Sequence, residues 1–218
     1  MGGIHAIDPN GLVILGGGGH GLVVGEAAAL CGVAVAGVMD DRADAPAACR
    51  GDHAMPWLGG IRAEGRWWIL GIGDVVARRV LLERLGREDA RTLTRAVSVV
   101  HPRAFVSPSA WIGRGVFIGP GAVVHARARV GDHAMINTGA IVEHDCEVGE
   151  NAHVAPGTVM GGACRVGRDS LVGLGGAMLP GVAVGDGCVV GAGALVLRNV
   201  GDGEVVVGLP ARRLGGEG

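Results

Sequence analysis

Two stretches of this 218-residue sequence carry residue types at spacings that can do chemistry. Glu143-His144-Asp145 sets an imidazole, which accepts a proton near neutral pH, between two carboxylates. Gly16-x-Gly18-x-x-Gly21 follows the apolar run Leu12–Leu15 and opens a helical pattern. An acid, Asp40, stands about 20 residues further on. Glycines in such a turn let backbone N–H groups approach a phosphate, which the helix dipole then helps to hold. His20, inside the turn, argues against a bare structural loop. Taken literally, the second motif is the dinucleotide fingerprint of an NAD-dependent oxidoreductase. Against that stands a domain of only about 100 residues with no second mononucleotide half.

The elements that must position these residues differ between the two parts of the chain. From Val106 an aliphatic side chain recurs every six positions, through Ile112 and Ile118 to Val196. That makes sixteen hexads in strict register, fourteen of them marked by Val or Ile. The fourth residue after each is small or compact, as at Ala110, Ala128 and Ala140, and the residue directly after is Gly in nine of the sixteen. No helix of period 3.6 keeps a six-residue register, and hairpins need turn signals at wider spacing. Short strands that turn a corner after each hexad do keep it. Three hexads then close one triangular coil of about 18 residues, with i and i+18 stacked at about 4.8 Å. The spacing therefore predicts a parallel β-helix over 101–218. Its narrow bore suits a sequence without Tyr and with only four Trp and two Phe. Cys146, Cys164 and Cys188 fall on the small inward position and read as buried fillers, not nucleophiles. His144 takes the third place of its hexad, off the inward ladder. The general rule for parallel crossovers predicts right-handed coils.

Residues 1–100 alternate strand and helix patterns, which predicts a small parallel α/β domain. Strands are expected at Leu12–Leu15, Val33–Met39, Trp67–Gly71 and Ala96–Val100. Helices are expected over Leu22–Cys31 and after Gly73-Asp74, and loops across Arg42–Arg66. A formal net charge of −2 offers no field for nucleic acid or an anionic membrane. The apolar runs are too short to span a bilayer, and no cationic, apolar leader is visible. Ala6 stands where a myristoylation signal at Gly2 wants Ser or Thr. Five cysteines without a CxxC pair suit a reducing cytoplasm better than a disulfide framework.

A resemblance joins the two parts. It runs through Gly-x-Gly-Gly-His-Gly at 16–21, Asp40-Asp41, Gly-Ile-Gly-Asp at 71–74 with Arg78, and His101-Pro102. It continues through Ile136-Asn137-Thr138, Glu143-His144-Asp145, His153, Leu179-Pro180-Gly181 and Val207-Gly208-Leu209-Pro210-Ala211. In order and spacing these pieces resemble the bacterial nucleotide-amino-sugar N-acetyltransferases of the bacillosamine and perosamine pathways, and the related sialic acid O-acetyltransferases. The resemblance implies a small N-terminal α/β Rossmann-like domain for the nucleotide sugar. A left-handed parallel β-helix of hexapeptide repeats would follow, with acetyl-CoA as co-substrate and no metal. The hand rests on the resemblance alone.

The same resemblance implies that His144 is the catalytic base and that Asp145, Glu in some members, fixes its tautomer. Asn137 and His153 would line the acceptor or thioester pocket. Gly162, 18 residues after His144 and so one coil above it, would offer its N–H to the oxyanion. Leu174, Ala192 and Pro210 would lie along the CoA channel with Gly162. Gly18, His20, Asp40, Asp41, Gly73 and Arg78 would surround the nucleotide sugar, Asp40 and Asp41 being nearly as readable as strand-end caps. A cytoplasmic homotrimer with active sites between neighbouring β-helices is implied too. The expected reaction is direct acetyl transfer to a sugar amine, the alternative being transfer to a sugar hydroxyl. The nucleotide stays open between UDP, GDP and dTDP. Two other classes compete. One is a zinc enzyme of the γ-carbonic anhydrase kind, using His125, His133, His144 or His153, although the ligand spacing is not met. The other is a scaffold whose β-helix only trimerises.

Overall fold

The computed structural model describes residues 11–49, 54–63 and 65–215. The expectations about Gly2 and Ala6 lie outside the described residues. Two compact units divide after Pro102.

In the N-terminal unit β1 (Leu12–Leu15) leads into α1 (Gly19–Leu30), followed by β2 (Val35–Met39) and a short α2 (Pro46–Cys49). Next come β3 (Trp67–Leu70), α3 (Val75–Glu88) and a short α4 (Ala90–Leu93). The sheet is parallel, in the order β2-β1-β3. Leu15 is level with both Met39 and Leu70, so the strands end together at Gly16, Asp40 and Gly71. That edge is where an open α/β sheet presents its ligand crevice. Leu81, Leu82 and Leu85 of α3 pack against Val13, Leu15, Trp68 and Leu70, each large side chain contributing roughly 1.5–3 kcal/mol when fully buried.

Some expected boundaries move. α1 begins at Gly19 rather than Leu22, with Gly18 as an extended N-cap, because the glycine-rich turn is itself the first turn of the helix. Ala96–Val100 adds no fourth strand to this sheet. Ala96 makes a single bridge to Trp68, and only Val99–Val100 is extended. Residues 42–66 hold α2 besides loops.

The C-terminal unit is a β-helix with three faces. One stacks Phe105–Val106, Val123–Val124, Ile141–Val142, Val159–Met160, Ala177–Met178 and Leu195–Val196. The second stacks Trp111–Ile112, Arg129–Val130, Glu147–Val148, Arg165–Val166 and Ala183–Val184. The third runs from Phe117–Ile118 through Met135–Ile136, His153–Val154, Leu171–Val172 and Val189–Val190 to Val205–Val207. Residues 18 apart pair in parallel, as Ile141 does with Val159. All sixteen repeating aliphatics are the second residue of a strand, and from Ile118 to Val196 every one is buried. Cys146, Cys164 and Cys188 are fully buried in the bore. The register breaks after Val196: Val205 pairs with Val189, so the last coil is two residues short. Arg212–Arg213 then turns back antiparallel and covers the edge.

Glycine does two jobs here. The residue three places after each aliphatic adopts positive φ from Gly115 to Gly193, in fourteen consecutive hexads. Gly fills eight of these corners, and Arg127, His133, Asp145, Asn151, Ala163 and Asp169 fill the rest. The glycine directly after an aliphatic answers to crowding instead. A Cβ on Gly131 would lie 2.7 Å from the Glu150 nitrogen and 2.9 Å from the Gly149 carbonyl carbon of the next coil. Among the described residues no helix is long and apolar enough to cross a membrane.

Candidate active site and nucleotide cleft

His144 and Asp145 stand at the corner that follows strand Ile141–Val142. Asp145 has φ 60°, a conformation that a short polar side chain tolerates and a branched one does not. This backbone turns the carboxylate so that Asp145 Oδ2 lies 2.8 Å from His144 Nδ1. An ionised carboxylate can only accept, so Nδ1 carries the hydrogen, and in the neutral ring Nε2 holds the lone pair. Glu143 Oε2 accepts from the His144 backbone N–H at 3.2 Å, and Glu143 Oε1 lies 3.8 Å from His125 Nε2.

A residue without any motif completes the corner. Arg127, one coil before Asp145, donates from Nε to Oδ1 at 2.6 Å and from its terminal nitrogen to Oδ2 at 2.8 Å. This fork first, and the His144 bond second, hold the Asp145 carboxyl well below the usual carboxylate range. The only sequence signal for Arg127 is the 18-residue register itself.

Gly162 lies one coil above, where a Cβ would come within 2.7 Å of His144 Cε1 and Nε2. The ring therefore rests against bare glycine backbone. The Gly162 carbonyl is engaged by the Gly181 N–H at 2.9 Å, while its own N–H meets no partner among the described residues.

Asn137 and His153 form their own pair, Nδ2 to Nε2 at 3.2 Å, on the third face. Asn137 is oriented by accepting the Thr138 N–H at 2.8 Å. Within one chain they do not meet His144, because the corner at Asn137 and the corner at His144 are separated by strand Ile141–Val142. Leu174 and Ala192 stack one coil apart, the Gly193 N–H bonding the Leu174 carbonyl at 2.8 Å. Pro210 does not continue that column in 18-residue register, because the shortened last coil has shifted the ladder by two.

The cleft at the strand ends of the N-terminal unit has a volume of about 330 Å³. It is lined by Gly18, His20, Asp40, Asp41, Gly73 and Asp74, among others. Asp40 is mostly spoken for: its carboxylate accepts the Gly17 N–H at 2.7 Å and the Arg42 N–H at 2.9 Å, bracing the glycine turn. Asp74 caps α3 by accepting the Ala77 N–H at 2.7 Å. Asp41 is exposed and, among the described residues, accepts only a long bond from the Ile61 N–H, at 3.4 Å. Arg78 is not in the lining; α3 buries it to 1% exposure. Burial chiefly, and the Arg78 charge secondarily, push the His20 imidazole down to about 4, so it is neutral at physiological pH. No three His, Cys, Asp or Glu side chains converge as metal ligands among the described residues.

A six-residue β-helix with a histidine–carboxylate corner defines a hexapeptide-repeat transferase. The repeats match the families described as bacterial transferase hexapeptide (six repeats), over 127–162, and hexapeptide repeat of succinyl-transferase, over 163–198. Residues 11–85 match the PglD N-terminal domain. Perosamine N-acetyltransferase (PerB) from Caulobacter crescentus, solved with CoA and GDP-perosamine, is 36% identical, with 96% of this chain and 100% of that one covered at a TM-score of 0.82. The acetyltransferase domain of PglB from Neisseria gonorrhoeae, solved with acetyl coenzyme A, is 32% identical over 93% of this chain and 98% of that one, at a TM-score of 0.81. WeeI from Acinetobacter baumannii shares the fold at 22% identity and a TM-score of 0.79, with 93% of this chain and 99% of that one covered. A search of curated proteins found no match. The chain belongs to the bacterial hexapeptide-repeat sugar acetyltransferases that carry a PglD N-terminal domain.

Proposed function

We propose that this protein moves an acetyl group from acetyl-CoA to the amino group of a nucleotide-linked 4-amino-deoxysugar, with His144 as general base. The observation that carries the reading is the 2.8 Å bond from His144 Nδ1 to Asp145, which leaves Nε2 as the acceptor beside Gly162. CoA and GDP-perosamine bound to PerB, and acetyl coenzyme A bound to the PglB domain, support the two substrate classes.

In this reading the sugar amine attacks the thioester carbonyl while Nε2 takes its proton. The Gly162 N–H stabilises the oxyanion of the tetrahedral adduct. The adduct collapses, the C–S bond breaks, and the proton passes from His144 to the leaving CoA sulfur. No acyl-enzyme forms, which accords with the β-helix cysteines lying inside the bore. Asn137 and His153 line the thioester pocket, and Leu174, Ala192 and Pro210 flank CoA. The nucleotide sugar sits on Gly18, His20, Asp41 and Gly73, its phosphates at the N-terminus of α1. Asp40 and Arg78 support that cleft from behind.

Assembly follows from the first face. Its outward side chains are Phe105, Val123, Ile141, Val159, Ala177 and Leu195, without a single charge, and Phe105 and Val159 are 53% and 42% exposed. The outward side chains of the second face include Arg129, Glu147 and Arg165. An apolar face between two corners suits contact with a second copy, which would bring the Asn137–His153 pair of one subunit toward the His144 of another. A homotrimer in the cytoplasm, where acetyl-CoA and nucleotide sugars are made, is the assembly we assign.

The test is CoA release, followed by chromatography, across UDP-, GDP- and dTDP-linked 4-amino sugars with the native protein and His144→Ala. Turnover with one sugar, lost in the variant, is expected. Acetyl-CoA binding without turnover on any amino sugar would transfer the reading to a hydroxyl acceptor, and no binding would overturn it.

A further inference from the structure

Among the groups around His144, the guanidinium of Arg127 has no part in the reaction as written. Arg127 takes positive φ at its own corner, which aims its side chain along the prism edge at the residue 18 positions on. It meets both Asp145 oxygens, and Oδ2 is the same oxygen that accepts His144 Nδ1. The groups facing the imidazole are therefore Asp145 and Glu143 beside it, Arg127 and His125 one coil before, and uncharged Gly162 one coil after.

We infer that Arg127 is a positioning residue for the base, fixing the rotation of the Asp145 carboxylate and offsetting its charge beside the His144 ring. Two physical effects are separable. The fork is planar and bidentate, so it holds the carboxylate plane in a way a lysine ammonium cannot. The positive charge opposes protonation of the ring that the carboxylate alone would favour. Without Arg127 the carboxylate would swing and would hold the imidazolium form longer as pH rises, leaving less base at neutral pH. This rests on His144 being the base.

The experiment follows the His144 ring by nitrogen-15 NMR through a pH titration, the signal being assigned by its loss in His144→Ala. Rates of acetyl transfer from acetyl-CoA to the UDP-, GDP- or dTDP-linked 4-amino sugar of the panel that turns over are read over the same pH range. Arg127→Gln is expected to raise the midpoint of the ring, and the acid limb of kcat/KM with it, by roughly half a pH unit, the size of a unit charge acting through solvent across one carboxylate. Arg127→Lys is expected to keep the midpoint within about 0.2 unit but to lower kcat several-fold, since it keeps the charge and loses the fork. An unmoved midpoint in Arg127→Gln, with or without a loss of thermal stability, overturns the inference and leaves Arg127 a corner brace. Wild-type rates in His144→Ala would instead overturn the base assignment itself.

Discussion

Gly162→Ala isolates the requirement that the His144 ring lie against bare backbone. The new Cβ would stand 2.7 Å from Cε1 and Nε2, whereas ordinary contact needs 3.4–4 Å, so the ring must retreat by about 0.7–1.3 Å. In the proposed mechanism, retreat moves Nε2 away from the attacking amine and strains the Nδ1 bond to Asp145. A misplacement of about 1 Å at a reacting group costs on the order of 100-fold in rate. The substituted chain retains the backbone N–H at this position, so the loss would report ring position and not the oxyanion donor. Gly162 is absent from the positive-φ corners, so the backbone accepts alanine without strain. His144 is 58% exposed, so the displaced ring enters solvent and stability changes by about 0.5 kcal/mol or less. For a chain of this length that is a Tm shift of about 2 °C. The assay pairs kcat with differential scanning fluorimetry. A kcat within threefold of wild type, at unchanged Tm, would refute the geometry.

Other perturbations reach other parts of the molecule. Gly131→Ala would drive a Cβ against the backbone of the next coil, which cannot yield, and should cost about 1–3 kcal/mol in urea denaturation. Val159→Asp places a charge in the middle of the apolar face; sedimentation is expected to show smaller species than wild type, and an unchanged assembly would dismiss that face as the interface. His20 titrates at about 4 when folded and at 6.5 when unfolded, so the unfolded chain binds its proton first as pH falls. Its contribution is present above pH 6.5 and is lost between 6.5 and about 4, amounting to roughly 3 kcal/mol at the acid end. His20→Gln should flatten the pH dependence of stability by that amount across this window.

Periodicity by itself determined the register of the β-helix, residue by residue, though not its hand, because each aliphatic of a six-residue repeat has one inward place. The same register put the three β-helix cysteines in the bore and Gly162 over His144. Local motifs likewise located the cleft glycines, since a turn that opens a helix is written in adjacent residues. Tertiary structure decided the rest. Ala96–Val100 reads as one strand from its side chains, but only Ala96 bridges the three-stranded sheet, at Trp68, and Val99–Val100 is a strand outside that sheet. Pro210, which the resemblance sets beside Leu174 and Ala192, stands off their column because the coil after Val196 is two residues short. Asp40 and Asp41 are neighbours of the same type, but packing gave Asp40 to the loop backbone and left Asp41 facing the cleft. Arg78, expected at the substrate, is buried beneath the cleft because α3 turns that position inward. Arg127 had no signature, because arginine is common at solvated corners. Only the stacking of one coil on the next turns its charge into a fork on Asp145.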